Sequence, residues 1–241
     1  MNTNKKVVLI TGANKGIGLE TAKTFLDHEY TVIIGSRNIE KGKQTLVDLD
    51  NPNATFVQID ITSETSIKKA KDTIEKDFGK LDALINNAGV WLDFGMPMLE
   101  VSMNVIEDTF KVNTFGVIAT IKYFLPLLKK SKEARIVNVS SGLASLTQNS
   151  DPDYEYYAYK SLAYSTSKTA LNAITILFAY ELKDTNIKVN SADPGYCATD
   201  LNGKTGPRTP KQGSKVIVNL ATLPDNGPNG GFLDENGKIE W

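Results

Sequence analysis

The chain of 241 residues carries 27 Lys and Arg against 28 Asp and Glu, a formal net charge of −1, so the basic excess expected of a nucleic-acid binder is absent. With 41% hydrophobic and 23% charged residues it has the composition of a folded protein, and a chain of this length buries roughly three quarters of its unfolded surface without a metal or disulfide staple. The lone Cys197 closes no internal disulfide, and there is neither an apolar leader core nor an 18-residue apolar run; a cytoplasmic location with no membrane span is expected.

Short β-branched runs alternate with segments of helical period, the pattern of βαβ units and a parallel sheet. The first strand, Val7–Thr11, leads into Thr11-Gly12-Ala13-Asn14-Lys15-Gly16-Ile17-Gly18 and a helix over Gly16–His28. Glycines there let the backbone turn tightly and approach a pyrophosphate, and the helix N-terminus offers unpaired N–H groups. A triphosphate-binding loop needs Lys-Ser/Thr after its last glycine, where Ile17 stands instead. The second strand, Thr31–Gly35, ends in Ser36-Arg37 with no acid for a ribose 2′-hydroxyl, whereas an Arg there takes a 2′-phosphate. A helix over Glu40–Leu49, a strand at Thr55–Ile59, a helix over Glu64–Phe78 and a strand at Ala83–Asn86 follow. Next comes one long helix, Val101–Lys129, with a kink or a weakened last turn expected at Pro126. Strands at Arg135–Val139, Lys188–Ser191 and Gly231–Leu233, with helices over Leu162–Leu182 and Pro210–Leu223, complete an expected seven-stranded, mostly parallel, doubly wound sheet in a single domain, 1–241. The irregular stretches Val90–Glu100, Ser141–Lys160 and Asp193–Thr209 all follow strand ends, where open parallel sheets bind ligands.

Tyr164 and Lys168 are four apart on a predicted helix, so their side chains share a face. A phenol is a poor base at neutral pH, and a neighbouring ammonium is expected to stabilise its phenolate. Tyr156 and Lys160 repeat the spacing, but follow the turn-rich Asp151-Pro152-Asp153 and lack a helical apolar period, so Tyr164 is preferred. Strand alternation turns Ser140 and Ser141 to opposite faces, so one of them faces the site.

These pieces, together with Asp60-Ile61, Asn86-Asn87-Ala88-Gly89, Asn113, Pro194-Gly195 and Thr199, occur in an order that resembles the short-chain dehydrogenase/reductase family, over nearly the whole chain. The resemblance implies a Rossmann-type α/β fold and hydride transfer between NADP(H) and a carbonyl or alcohol. Tyr164 is implied as the proton donor, Ser141 as its partner on the substrate oxygen, Lys168 as a holder of the nicotinamide ribose and Asn113 as support for a water relay. It also implies cofactor contacts from Gly12, Asn14, Lys15, Gly16, Ile17, Gly18, Arg37, Asp60, Ile61, Asn87, Ala88, Gly89, Pro194, Gly195, Cys197 and Thr199, with Lys15 the second basic residue of NADP-preferring members. The ending Gly227 to Trp241 and an insertion bearing Tyr154, Tyr156, Tyr157 and Tyr159 resemble the carbonyl reductase branch. Those tyrosines either line the carbonyl pocket or cover the catalytic helix. Trp91 and Tyr196 are candidates for stacking on the substrate, Cys197 reads as a packing residue, and no metal site is expected. The expected function is NADPH-dependent reduction of aldehydes or ketones by a monomer or homodimer; the alternative is an NADP(H)-binding sensor with little turnover. A nucleotide-sugar epimerase is disfavoured because little chain follows the seventh strand.

Overall fold

The computed structural model describes residues 5–241; the first four, part of the stretch read for a leader, lie outside the described residues. Eight strands, β1 (Val7–Thr11), β2 (Thr31–Ser36), β3 (Ala54–Gln58), β4 (Ala83–Asn86), β5 (Ala134–Val139), β6 (Ile187–Ala192), β7 (Phe232–Asp234) and β8 (Gly237–Lys238), form one sheet in the order β3-β2-β1-β4-β5-β6-β7-β8. All neighbours pair in parallel except β7 and β8. The helices are α1 (Gly16–Asp27), α2 (Ile39–Leu49), α3 (Glu64–Phe78), α4 (Met103–Phe110), α5 (Gly116–Leu128), α6 (Leu146–Ser150), α7 (Leu162–Glu181) and α8 (Pro210–Ala221).

Every residue of β1 is buried, because both faces of the sheet are covered. Leu9 and Val7 point into one apolar core with Ile67 and Ile74 of α3, Phe124 of α5 and Leu171 of α7. Val8 and Ile10 point into the other, with Phe25 of α1, Val216 and Leu220 of α8, and Leu46 of α2 packed against it. This is the expected Rossmann-type, doubly wound α/β architecture. The strand order reverses beside β1 and β4, which opens a crevice beyond their carboxyl ends.

Two expectations are corrected. The sheet has eight strands rather than seven, because Asp234 turns the chain by accepting from Asn236 N at 2.7 Å and Gly237 N at 3.0 Å, and β8 folds back on β7. A two-residue strand carries no pattern to read. The helix expected over Val101–Lys129 starts at Met103 under a Ser102 cap and is interrupted by a π-helical stretch, Lys111–Phe115, that separates α4 from α5. That break carries Asn113, while the helix runs on past Pro126 to Leu128.

Candidate active site

At the carboxyl ends of the strands lies a cleft of about 730 Å³ lined by the glycine loop, the ends of β3, β4 and β5, the start of α7 and the segment after β6. Of the residues assigned from sequence to catalysis, cofactor or substrate contacts, all but Gly18 and Asn113 line it. Gly18 sits beneath the loop: a Cβ there would stand 2.5 Å from Asn87 Nδ2 and 2.9 Å from Gly12 O, so its missing side chain allows the first helix turn to approach β4. Gly12 has φ +66° with Ala88 Cα 3.0 Å from its ideal Cβ position, a conformation and a spacing that favour glycine.

Thr11 Oγ1 accepts from Asn87 N and Ala88 N, both at 3.1 Å, and Asn87 Nδ2 donates to Thr11 O at 2.9 Å. These bonds lock the glycine loop to the end of β4. Asp60 is held by Thr62, whose N and Oγ1 donate to its Oδ1 at 2.9 and 2.7 Å. Arg37 is exposed at the cleft, directly after β2. Lys15 is exposed too, but its ammonium pairs with Asp200 at 2.8 Å across the cleft, so it is not the free cation the sequence suggested. Thr199 packs its Cγ2 3.6 Å from the ideal Cβ position of Gly16, bringing the segment after β6 over the glycine loop. Cys197 is 3% exposed and bonds Pro194 O at 3.3 Å, with burial raising its thiol above the ordinary range, as suits packing rather than nucleophilic attack.

Tyr164 and Lys168 share the buried face of α7, as their spacing requires. Lys168 Nζ donates to Val139 O at 2.7 Å and stands 5.8 Å from the centre of the Tyr164 ring. Burial lowers its pKa to about 8. The same burial holds the Tyr164 phenol well above its ordinary range; the Ser141 hydroxyl beside it pulls the value down and the Asp193 charge pushes it up. Burial thus opposes the stabilisation of a phenolate expected from the neighbouring ammonium. Ser140 is the structural serine, donating to Asn172 Oδ1 at 2.7 Å, while Ser141 lines the cleft. Asn113 is fully buried: its Oδ1 accepts from Val90 N at 2.9 Å, and its Nδ2 donates to Val90 O at 2.9 Å and Ser167 Oγ at 3.0 Å. Its side chain thus fastens the segment after β4 to α7 instead of facing the cleft.

The competing pair is separated. Lys160 Nζ donates to Asn149 O at 2.7 Å and lies over the Tyr157 ring, whereas Tyr156 joins Tyr154, Tyr159 and Tyr196 in an aromatic cluster on the cleft wall. The insertion tyrosines Tyr154, Tyr156 and Tyr159 therefore line the pocket. Trp91, a candidate for stacking on substrate, lines the cleft and stacks on Tyr164, with ring centroids 4.4 Å apart and planes 15° from parallel, and its Nε1 donates to Ser161 Oγ at 2.7 Å. Sequence reading missed Asp93. Ser161 makes no side-chain cap at the start of α7; the Asp93 carboxylate replaces it, accepting from Ala163 N at 2.7 Å and Tyr164 N at 3.2 Å. Those residues lie 70 or 71 positions away, so no local capping signal exists.

Residues 6–209 match the family model described as short chain dehydrogenase. The chain is 37% identical over 247 residues to a short-chain dehydrogenase of Penicillium roqueforti, covering 98% of this chain and 97% of that one. Among solved structures it is similar to NADPH-bound carbonyl reductase from chicken fatty liver (TM-score 0.87, 26% identity, 98% of this chain and 99% of that one). It is also similar to carbonyl reductase Sniffer of D. melanogaster (TM-score 0.86, 30% identity, 99% of this chain and 100% of that one). No helix among the described residues is long and apolar enough to cross a membrane, and those residues hold no cluster of metal-ligating side chains. A glycine loop locked to β4, a buried Tyr-Lys pair on α7 and a match that spans most of the chain have one reading: this protein belongs to the short-chain dehydrogenase/reductase family of oxidoreductases and resembles its carbonyl reductase branch.

Proposed function

We propose that the protein reduces aldehydes or ketones with NADPH, and that Tyr164 donates the proton. The observation that carries this reading is the buried Tyr164 phenol, beside the Ser141 hydroxyl and on the same face of α7 as Lys168, on the wall of the cleft. A phenol held in its protonated form is a donor ready for an oxygen that gains negative charge. Ser141 shares that oxygen, and Lys168, anchored on Val139 O, holds the ribose and supplies positive charge below its pKa of about 8. Trp91 beneath the ring and Asp93 at the helix start fix where the phenol points.

The cofactor fits the residues present. Gly12 keeps its positive φ against Ala88, leaving a side-chain-free cradle at the N-terminus of α1, and a Cβ added to Gly89 would stand 3.5 Å from Lys168 Nζ. Gly12, Asn14, Gly16 and Ile17 would hold the pyrophosphate, Asp60 and Ile61 the adenine side, Asn87, Ala88 and Gly89 the floor, and Pro194, Gly195, Cys197 and Thr199 the nicotinamide side. Arg37, with no acid at the end of β2, favours a 2′-phosphate, and Lys15 joins it once released from Asp200. When bound, NADPH supplies the hydride.

Oxidation of NADPH and of NADH against a panel of aldehydes and ketones tests the reading. Turnover with a lower KM for NADPH supports it. Equal KM values remove the cofactor preference, and NADPH binding without turnover on any carbonyl favours the sensor.

A further inference from the structure

Asp193 directly follows β6 and lines the cleft beside Tyr164, yet proton donation by Tyr164 does not use it. One carboxylate oxygen accepts from Gly195 N at 2.9 Å. The other lies 3.1 Å from the place a Cβ on Gly142 would occupy, a spot that is also 2.5 Å from Tyr154 Oη and 3.5 Å from Gln148 Oε1. Gln148 Oε1 is buried and receives no donor, and Asp193 is approached by the Gly142 backbone N–H as well as by that of Gly195. Among the ion pairs of the described residues none includes Asp193; Arg208, the cation that acts on it, pairs its Nη1 with Glu235 while its buried Nε has no partner.

The wall around it is aromatic. Tyr154, Tyr156, Tyr159 and Tyr196 form a chain of edge and tilted contacts with ring centroids 5.7 to 6.0 Å apart, all facing the same cleft. Glu155 adds negative charge next to Tyr154 and Tyr156. Asp193 thus stands among tyrosines on the cleft wall with no direct ion-pair partner among the described residues. Aromatic faces and an uncompensated carboxylate both attract a cation, and both attract it more strongly where water is partly excluded. A neutral hydroxyl would satisfy one acceptor but leave the charge uncompensated.

We propose that Asp193 and the Tyr154, Tyr156, Tyr159 and Tyr196 cluster form a subsite for a cationic nitrogen, so that the preferred substrates are aldehydes or ketones bearing an ammonium group. This rests on the reading of the cleft as a carbonyl reductase site. The test uses two ketones of nearly the same shape, neutral 4,4-dimethylcyclohexanone and permanently cationic 1,1-dimethyl-4-oxopiperidinium. Binding of each to the NADPH-loaded protein is measured by calorimetry, and turnover separately by NADPH oxidation. The wild type is expected to bind the cation about tenfold more tightly, and Asp193→Asn to bring the ratio close to one. Tyr156→Leu is expected to reduce the ratio several-fold, and it decides the matter if Asp193→Asn does not fold. Equal affinity for the two ketones in the wild type, no binding of either, or an unchanged ratio in both variants overturns the subsite. Turnover of both ketones with equal affinity leaves the reductase standing without the subsite, whereas cation-selective binding with no turnover leaves the subsite standing and refutes the reductase.

Discussion

Replacing Asp93 by Ala removes the one side chain that, among the described residues, caps the helix that carries Tyr164. Its carboxylate is 2% exposed and accepts from two backbone N–H groups, at 2.7 and 3.2 Å, that no residue of α7 can satisfy. A hydrogen bond to a charged group contributes about 1.5–3 kcal/mol and a lost helix cap costs about 0.5–2 kcal/mol, so a loss of about 3 kcal/mol is expected, the longer bond counting least. For a chain of this length each kcal/mol moves Tm by about 2–4 °C, which gives a drop of about 6–12 °C by calorimetry. One of the freed N–H groups belongs to Tyr164 itself, so kcat should fall about tenfold or more as the phenol loses its position, with the KM for NADPH little changed. Asp93→Asn keeps one acceptor oxygen and should recover part of both losses. An Ala variant that melts within about 1 °C of the wild type and keeps its kcat would refute the assignment of Asp93 as the anchor of Tyr164.

Arg37→Glu should raise the KM for NADPH by about tenfold or more while leaving NADH little affected, because only the 2′-phosphate meets the reversed charge; steady-state kinetics with both cofactors checks this. Asp200→Asn frees Lys15 from its partner at 2.8 Å, and should lower the KM for NADPH but not for NADH in the same assay. Lys168 titrates near pH 8 in the folded protein against 10.5 as its ordinary value, so between those values the unfolded chain binds the extra proton and stability rises with pH. Denaturant titrations at pH 7 and pH 9.5 should show that rise in the wild type and a smaller one in Lys168→Met. The activity limb runs the other way: kcat/KM should fall above pH about 8 as the ammonium is lost.

What could be read from sequence is what short-range pattern encodes. The buried runs Val7–Thr11 and Ala83–Asn86 read as strands because both faces are covered, and the Tyr164–Lys168 spacing put both side chains on one face of α7. Tyr164 could be told from Tyr156 because the apolar period continues after one and a turn-rich stretch precedes the other. The rest depends on contacts across long separations. Asp93 caps a helix 70 residues on, Trp91 lies under Tyr164, and Asn113 spends its side chain on Val90 and Ser167, none of which has a local signature. The π-helical break at Lys111–Phe115 contains neither Pro nor Gly, so periodicity read straight across it. The environment of Tyr164 is likewise half legible: the Lys168 spacing is visible in sequence, but the burial that opposes ionisation is not.

The central claim is that Tyr164 donates the proton in an NADPH-dependent carbonyl reduction. Single-turnover NADPH oxidation by the wild type, Tyr164→Phe and Tyr156→Phe, at saturating cofactor and carbonyl, tests it most directly. The account expects Tyr164→Phe to lose a factor of about 10²–10⁴ while still binding NADPH, and Tyr156→Phe to turn over at a rate close to the wild type. Wild-type rates in Tyr164→Phe, or an equal loss in Tyr156→Phe, would contradict it.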